Sequence, residues 1–360
     1  MQKLEGGADR DELRADGTTA AVIDASFTVE PGQIFVVMGL SGSGKSTLLR
    51  MLNGLLEPTA GRVLFDGQDL TALSPAELRH VRSTKISMVF QHFALFPHRS
   101  VLENAAYGLE VQGVPRAERE KRAAEALELT GLAGWEKSWP DELSGGMQQR
   151  VGLARALATD ADLLLMDESF SALDPLIRRD MQDQLLELQK RLKKTIVFIT
   201  HDLNEAMRLG DRIAVMRDGK IVQLGTAEDI LVTPANDYVA SFTQDVDRTR
   251  VLTAGAIMAE PHTVMGTSTD DGKELRTAAD VLAAAPATVT ESTPIIELFT
   301  PCSQSGVAVA VTDAEGKLIG VVPRARLLAV LGEPMTPAEA PKDVRTSTTL
   351  AKNTKKVASV

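Results

Sequence analysis

A glycine-rich loop between a short apolar run and a helical run constrains this chain more than any other feature. The loop, Gly39–Thr47, reads Gly-Leu-Ser-Gly-Ser-Gly-Lys-Ser-Thr, and it lies between Ile34–Met38 and Leu48–Leu52. Strand, loop and helix in this order are the setting of a phosphate-binding loop. Glycines let the backbone close around phosphates, so that several N–H groups and a helix N-terminus face the anion. The loop therefore predicts an α/β fold that binds and hydrolyses a nucleoside triphosphate.

Two side chains of the loop carry the predicted chemistry. Lys45 is expected to reach the outer phosphates, and the hydroxyl of Ser46 is expected to ligate Mg²⁺. The cofactors implied are thus a nucleoside triphosphate and Mg²⁺. The other residues of the loop are expected to bind phosphate through their backbone and their close approach: Gly39, Leu40, Ser41, Gly42, Ser43, Gly44 and Thr47.

Composition limits the class of protein. At 360 residues the chain has room for one large domain and a smaller one. Its net charge of −10 argues against a nucleic-acid partner, which normally leaves a basic footprint. The single cysteine, Cys302, excludes a disulfide framework and a cysteine-based zinc site. Since no apolar stretch approaches the length of a membrane span, we expect the chain to reach a membrane only through a partner.

Apolar patterning predicts the layers of the fold. Alternation in Ala21–Val29 and an Asp66-Gly67 turn predict an antiparallel β layer near the start. A helical stretch is expected at about 100–158, and a hairpin of Ile213–Met216 with Lys220–Leu224 closes the domain. Four short buried runs predict parallel core strands: Ile34–Met38, Ile86–Phe90, Leu163–Met166 and Thr195–Ile199.

An acidic pair follows the third of these runs. Asp167 and Glu168 come directly after Leu163–Met166, at the carboxyl end of a buried strand, where open α/β sheets bind ligands. Carboxylate oxygens are ligands that Mg²⁺ prefers, so Asp167 is expected in its coordination sphere. Glu168 is then expected to polarise the attacking water. A helix cap is the alternative for such a pair taken alone.

The segment Leu143–Arg150, Leu-Ser-Gly-Gly-Met-Gln-Gln-Arg, distinguishes among enzymes that carry such a loop. With it the chain resembles the ATP-binding subunits of ABC transporters, whose signature sequence this is. The turn Ser144-Gly145-Gly146 opens a helix, so its N–H groups and dipole form a second anion site. The resemblance implies that this site faces the γ-phosphate bound by the loop of the other subunit.

Three further motifs of that family stand in the expected order. Gln91 matches the glutamine loop, which implies contact with Mg²⁺, with water and with the membrane partner. Asp174, in Ser171–Asp174, matches the D-loop that crosses the dimer interface. His201 matches the switch histidine that holds the γ-phosphate. Taken singly, each has a plain structural alternative: a polar loop residue, a helix cap and a strand-end imidazole.

Finer matches narrow the group. The segments Asp167–Arg178 and Asp245–Leu252 resemble glycine betaine/proline (quaternary amine) importers, and Ser169 stands where many ABC importers carry proline. The resemblance implies ATP hydrolysis that powers import of an osmolyte of the glycine betaine, proline or choline class. An importer for another small solute, such as an amino acid, is one alternative, because specificity lies in the permease and the binding protein. A non-transport ABC ATPase acting on nucleic acid is the other.

The same resemblance implies partners and a location. Two copies sandwich two ATP molecules, each between Lys45 of one copy and Ser144 of the other. The homodimer acts on integral membrane permease subunits and, through them, with a substrate-binding protein. The chain is then peripheral, at the cytoplasmic face of the cell membrane. The implied fold is a P-loop NTPase of ABC type, with a parallel core sheet, an antiparallel β layer and a helical subdomain.

One departure from the family pattern concerns the nucleotide base. Many ABC subunits stack adenine on an aromatic residue before the phosphate-binding loop, but Arg10–Ala20 contains none. Phe27 lies on the alternating segment, so it is expected in the core. We therefore predict weak discrimination between ATP and GTP.

The division predicted for the chain has four parts. An N-terminal extension covers residues 1–20, the ATPase domain 21–245, a small α+β domain 251–333 and a disordered tail 334–360. In the small domain a helix, two strands and a helix are predicted, and they resemble one CBS motif: Pro294–Thr300, Val307–Val311, Lys317–Val322 and Arg324–Val330.

The first repeat of that CBS-like domain is incomplete in the sequence. The polar run Gly266–Glu274 stands where two strands of a first motif belong. In the second, Pro323 and Arg326 replace the Ser/Thr and Asp that hold adenosine ligands, so no such ligand is expected. Two interpretations stay open: a degenerate appendage, or a regulatory module that pairs with its copy and follows ionic strength through screened charges.

Overall fold

The computed structural model of the chain describes residues 17, 19–244, 246–264, 277–285, 287–304 and 308–330. Contacts divide the chain into two compact units, with the boundary between Leu224 and Gly225. This boundary is earlier than the predicted end of the first domain at residue 245. Within the described ranges, every helix is too short or too polar to cross a lipid bilayer.

A six-stranded sheet forms the centre of the first unit. Its strands and those of a separate hairpin are β1 (Ile34–Met38), β2 (Leu64–Phe65), β3 (Gln68–Asp69), β4 (Ile86–Val89), β5 (Leu163–Asp167), β6 (Thr195–Thr200), β7 (Arg212–Arg217) and β8 (Lys220–Gly225). The sheet order is β4-β5-β6-β1-β7-β8. Strands β4, β5, β6, β1 and β7 are parallel neighbours, so the carboxyl ends of β1, β5 and β6 lie side by side.

The predicted core strands are confirmed within one residue at each end. Strand β4 stops at Val89, so Phe90 lies beyond the sheet, and β5 includes Asp167. The predicted hairpin of β7 and β8 is present, but β7 also pairs with β1 as a parallel core strand. The sequence pattern of β7 is a continuous apolar run, which fits this burial on both faces.

Alternation in Ala21–Val29 predicts a buried face correctly but does not produce a regular strand. Ala25, Phe27 and Val29 are buried, and the ring of Phe27 stacks on Phe35 with centroids 4.8 Å apart. Phe27 is thus a core residue, as expected. The predicted Asp66-Gly67 turn joins β2 to β3 as an antiparallel pair, and both turn residues have positive φ.

Helices cover the sheet and build a subdomain beside it. In the first unit they are α1 (Lys45–Leu52), α2 (Pro75–Thr84), α3 (Val101–Val111), α4 (Arg116–Leu129), α5 (Gly145–Ala158), α6 (Pro175–Leu192) and α7 (Leu203–Leu209). Helices α3, α4 and α5 share a buried core that includes Val101, Leu109, Leu127 and Val151. They form the helical stretch predicted at about 100–158. Ser100 begins it with a capping box to Glu103.

The second unit begins with helices and ends in a small sheet. Its elements are α8 (Ala227–Val232), α9 (Asp237–Thr243), α10 (Arg248–Val251), α11 (Ala254–Ile257), α12 (Ala278–Ala284), β9 (Thr288–Val289), α13 (Ile295–Gln304), β10 (Ala308–Thr312), β11 (Leu318–Pro323) and α14 (Arg324–Ala329). The sheet order is β11-β10-β9. Helix α8 contacts α9 and α10, which explains the early boundary.

The predicted helix, strand, strand and helix of the small domain are observed as α13, β10, β11 and α14. Strand β10 is buried along its whole length and β11 along most of it, with Ala310 and Val321 fully buried. The polar run Gly266–Glu274 and the tail 334–360 lie outside the described residues. Assignment to the CBS type, with an incomplete first repeat, therefore stays a prediction.

Candidate functional site

Two glycines of the phosphate-binding loop are required by close backbone approach. Gly39 has φ +151 and Gly44 has φ +103. A Cβ atom on Gly39 would lie 2.2 Å from the carbonyl oxygen of Met216, and one on Gly44 would lie 2.2 Å from that of Ala21. No side chain fits at such distances. The loop is thus wrapped tightly between β1 and α1, with α1 starting directly after Gly44.

Lys45 is folded back over its own loop. Its side chain is 4% exposed, and Nζ donates to the carbonyl oxygens of Gly39 at 2.9 Å and Leu40 at 3.1 Å. Burial lowers the pKa of Lys45, and the nearby carboxylates of Glu168 and Asp167 oppose this shift. The loop also holds a buried hydroxyl, Ser43 Oγ, without a hydrogen-bond partner among the described residues. A buried cation and a free hydroxyl inside a tight loop fit a phosphate.

Ser46, in the first turn of α1, contacts Asp167, at the carboxyl end of β5. Ser46 Oγ donates to Asp167 Oδ1 at 3.0 Å, across a separation of 121 residues in sequence. Burial raises the pKa of Asp167, while the hydrogen bond from Ser46 lowers it in part. A hydroxyl and a carboxylate side by side, both oxygen donors, suit Mg²⁺. Two of the three residues predicted to hold the metal, Ser46 and Asp167, are therefore brought together from different segments.

Glu168 lies between Lys45 and His201. Its backbone has φ +45, and its N–H donates to the carbonyl oxygen of Ile199 on β6 at 3.0 Å. One carboxylate oxygen, Oε2, lies 3.0 Å from His201 Nδ1, and the other, Oε1, lies 3.9 Å from Lys45 Nζ. Since positive φ is costly for a non-glycine residue, the bond to β6 holds a strained backbone that aims this carboxylate.

Gln91 lies with the D-loop turn rather than with Ser46 and Asp167. Its Nε2 donates to Ser171 Oγ at 3.2 Å, and Ser171 Oγ donates to the carbonyl oxygen of Glu168 at 2.8 Å. The predicted contact of Gln91 with Mg²⁺ thus stays a prediction. The hydrogen bond does link Gln91 to the residue that carries the predicted catalytic carboxylate.

The signature and D-loop residues cap neighbouring helices. Ser144 accepts a hydrogen bond from Met147 N at the start of α5, and Asp174 caps α6. Asp174 is therefore a helix cap, as the plain structural alternative predicts. Its place at a dimer interface stays a prediction. A Cβ atom on Gly146 would lie 2.5 Å from Ile177 Cγ2, so glycine there lets α5 approach α6.

The signature turn does not join the catalytic cluster within one chain. In the described residues, the hydroxyl of Ser144 accepts a hydrogen bond from Met147 N of its own helix, and a Cβ atom on Gly145 would lie 3.7 Å from the ring of Phe93, so neither contact is with the phosphate-binding loop. This separation is what a site completed by a second copy requires. Helix α5 begins at the exposed residue Gly145, and a helix N-terminus favours an anion.

Sequence reasoning assigned no role to three residues behind the site. Arg178 binds the D-loop turn, Asp202 follows the switch histidine, and Glu205 is a buried carboxylate on α7. Glu205 accepts hydrogen bonds from Thr200 Oγ1 and, at 3.1 Å, from Gln182 Nε2. Burial raises the pKa of Glu205. The available signals were the position of Arg178, one helical turn after Asp174, and that of Asp202, directly after His201, whereas Glu205 had none.

Comparison with known proteins gives consistent results. The family model described as "ABC transporter" matches residues 22–171. The glycine betaine transport ATP-binding protein OpuAA of Bacillus subtilis is 51% identical, over 92% of this chain and 88% of that protein. The glycine betaine/carnitine transport ATP-binding protein GbuA of Listeria monocytogenes is 49% identical, over 91% of each chain. A bacterial ABC transporter cassette solved as a dimer is 36% identical, with a TM-score of 0.53, over 57% of this chain and 90% of that one.

The geometry and the comparisons agree on one family. A phosphate-binding loop, an acidic strand end and a switch histidine meet at one edge of a parallel sheet, and full-length relatives share about half of the sequence. The expected cofactors, ATP and Mg²⁺, match this assignment. The chain belongs to the ATP-binding subunits of ABC transporters, and it is an ABC-type ATPase.

Proposed function

We propose that this chain powers the import of a quaternary amine osmolyte of the glycine betaine class. One observation carries the proposal: relatives named for glycine betaine transport match along 92% of the chain, so the likeness includes the second unit as well as the ATPase unit. Import of another small solute, such as an amino acid, is the competing function. It makes a different prediction for which solute stimulates ATP hydrolysis.

The site residues divide the work of hydrolysis. Lys45 and the loop backbone bind the phosphates, and Ser46, Asp167 and Gln91 would hold Mg²⁺, which would neutralise phosphate charge when bound. Glu168 orients and polarises the attacking water as general base. Its contact with His201, at 3.0 Å, supports this assignment because the imidazole fixes the carboxylate's direction. His201 then holds the γ-phosphate through its ring.

The site is completed by a second copy of the chain. Ser144, Gly145 and Gly146 would supply N–H groups to the γ-phosphate bound by the partner copy, and Asp174 would cross the interface. The exposed apolar side chain of Leu176, 70% accessible and two residues after the D-loop, supports burial against a second copy. The dimeric arrangement of a related ABC cassette supports the same assembly.

A groove next to Gln91 is the proposed docking site for the permease. It encloses about 500 Å³ between α2, β4 and α3, and most of its lining is apolar. Phe90, Leu55 and Val111 each expose more than a third of their surface at its rim. An apolar helix or loop of a membrane subunit could fill it. Such docking would hold the chain at the cytoplasmic face of the membrane, with a substrate-binding protein acting through the permease.

The second unit is proposed as a CBS-like regulatory module. Arg326 Nη1 donates to the carbonyl oxygens of Ile257 at 3.3 Å and Met258 at 3.0 Å, so the side chain that replaces an adenosine-binding residue is already engaged. This supports the absence of an adenosine ligand. A chain truncated after Leu252, reconstituted with its permease, should lose the salt dependence of its ATPase activity. Unchanged salt dependence would favour the degenerate appendage instead.

Stimulation of ATP hydrolysis tests the transport proposal. The full chain, its permease and its binding protein are reconstituted in vesicles, and ATP turnover is measured with glycine betaine, carnitine, proline and methionine in turn. The proposal predicts stimulation by the quaternary amines and uptake of the same solute. Stimulation by methionine alone would replace the quaternary amine with the competing class, an amino acid outside the osmolyte group. A Glu168→Gln chain controls for ATPase activity from other proteins.

A further inference from the structure

One arginine outside the assigned site binds the whole D-loop turn. Arg178, in the first turn of α6, donates from Nε to the carbonyl oxygen of Phe170 at 3.2 Å. Its Nη2 donates to the carbonyl oxygens of Ser171 at 3.3 Å and Leu173 at 3.0 Å. A planar guanidinium can serve three carbonyls at once because its five N–H donors form a fixed fork.

The same side chain reaches the switch segment. Arg178 Nη1 lies 3.5 Å from Asp202 Oδ2, and the two side chains are 28% and 33% exposed. Asp202 is fixed independently: its N–H donates to Thr200 Oγ1 at 2.9 Å, and its Oδ1 accepts from Glu205 N at 3.2 Å as the cap of α7. His201 lies between Thr200 and Asp202 in the chain, so its backbone follows the position of Asp202.

These contacts connect back to Glu168 and His201, the two predicted catalytic residues. Glu168 begins the turn that Arg178 holds, since Ser171 Oγ and Ser171 N both donate to the carbonyl oxygen of Glu168. Glu168 Oε2 in turn contacts His201 Nδ1 at 3.0 Å. A shift of the turn therefore has two routes to His201: directly through Glu168 and through Arg178 with Asp202.

We propose that Arg178 is a positioning residue that couples the D-loop turn, Ser171–Asp174, to the placement of His201 through Asp202. This inference rests on the proposed function, in which the turn crosses the dimer interface. Arrival of the second copy then acts on His201 through the guanidinium. Within the part of the chain that the structure describes, the hydrogen bonds of Arg178 go to the D-loop turn and Asp202 rather than to the phosphate-binding loop, so nucleotide binding should not depend on it. Turnover does.

Conservative variants separate this role from a structural one. Arg178→Gln removes the charge and the fork, and Arg178→Lys keeps the charge but cannot serve three carbonyls. Asp202→Asn removes the charge, yet asparagine caps a helix as well as aspartate does, so this variant folds with α7 intact. Arg179→Gln is the matched control, because Arg179 is the next residue on the same helix and is exposed.

The experiment measures kcat, KM and the dissociation constant for ATP with the full chain, together with thermal stability. We expect Arg178→Gln and Asp202→Asn to lower kcat about tenfold, with the dissociation constant within about twofold of wild type. Arg178→Lys should recover part of the loss, and the double variant should be no slower than Arg178→Gln alone. Arg179→Gln should match wild type.

Three results would overturn the coupling. They are kcat near wild type in both Arg178→Gln and Asp202→Asn, parallel loss of kcat and nucleotide affinity, or additive effects in the double variant. Glu168→Gln and wild type are run beside them. If wild type hydrolyses ATP and Glu168→Gln does not, a normal Arg178→Gln removes the coupling alone. If wild type itself shows no hydrolysis, the proposed function fails.

Discussion

His201 Nδ1 lies 3.0 Å from Oε2 of Glu168, although the two residues are 33 positions apart in the chain. Glu168 follows β5 and His201 follows β6, and these strands are parallel neighbours with Asp167 paired to Ile199. Both side chains therefore leave the sheet at the same edge. Lys45 reaches that edge from the loop after β1, the strand on the other side of β6. Strand order thus assembles the site.

Replacement of Lys45 by alanine is expected to weaken nucleotide binding. The ammonium group is buried and already donates to two loop carbonyls, so its loss removes both a phosphate partner and a contact within the loop. Hydrogen bonds to charged groups contribute about 1.5–3 kcal/mol, which predicts affinity lower by about tenfold or more. Lys85→Ala, at an exposed lysine paired with Asp162, is the control. Titration with a fluorescent ATP analogue measures both, and unchanged affinity in Lys45→Ala would remove the assigned role.

The buried carboxyl of Glu205 predicts a pH-dependent stability. Burial raises the pKa of Glu205, so the folded chain holds this proton more tightly than the unfolded chain. The stability that the protonated group contributes is present below the unfolded pKa and is lost as the pH rises through the raised folded pKa. Glutamine does not ionise. The urea midpoint of Glu205→Gln, minus that of wild type, should therefore rise with pH.

Urea titrations between about pH 4 and pH 8 measure that difference, since the unfolded pKa of glutamate is about 4.3. Glu118→Gln, at an exposed position on α4, controls for the loss of one carboxylate. A difference for Glu205→Gln that stays flat or falls with pH would show that the fold does not raise the pKa of this buried carboxyl.

The absence of an aromatic residue from Arg10–Ala20, before the phosphate-binding loop, predicts weak selectivity for the nucleotide base. Phe27 is 5% exposed and stacked on Phe35, so its ring is occupied within the core. Base stacking on an aromatic contributes about 1–3 kcal/mol in proteins that bind single-stranded nucleic acid, and a nucleotide base has the same face to stack. Without it, kcat/KM for ATP and GTP should agree within a few fold. A preference for ATP above about a hundredfold would mean that another group reads the base.

Sequence patterns do not specify the order of the strands or the distances between residues that are far apart in the chain. The runs Ile34–Met38 and Leu163–Met166 predict buried strands because continuous apolar residues suit a sheet covered on both faces. Alternation in Ala21–Val29 predicts a β layer, and its buried side chains are observed without a regular strand, since burial does not require a ladder. The contact of Arg178 with Asp202 depends on α6 lying beside the end of β6, which no local pattern states.

Site chemistry was more predictable than site geometry. Lys45, Ser46, Asp167, Glu168 and His201 were identified from motifs, and the structure brings them to one edge of the sheet. Gln91 shows the limit, because its motif implies a metal contact whereas its side chain donates to Ser171. Short polar side chains can exchange such partners, and a motif specifies the residue without specifying the partner.

The most direct test of the account is ATP turnover by the full chain with Glu168 replaced by glutamine. Glutamine keeps the shape of the side chain but cannot accept a proton from water, and a general base contributes about 10²–10⁴-fold to rate. The account predicts that Glu168→Gln binds ATP as wild type does and forms the ATP-bound dimer, but loses at least about a hundredfold in turnover. Hydrolysis near the wild-type rate would contradict the assignment of Glu168 as the base and place the catalytic role in another residue.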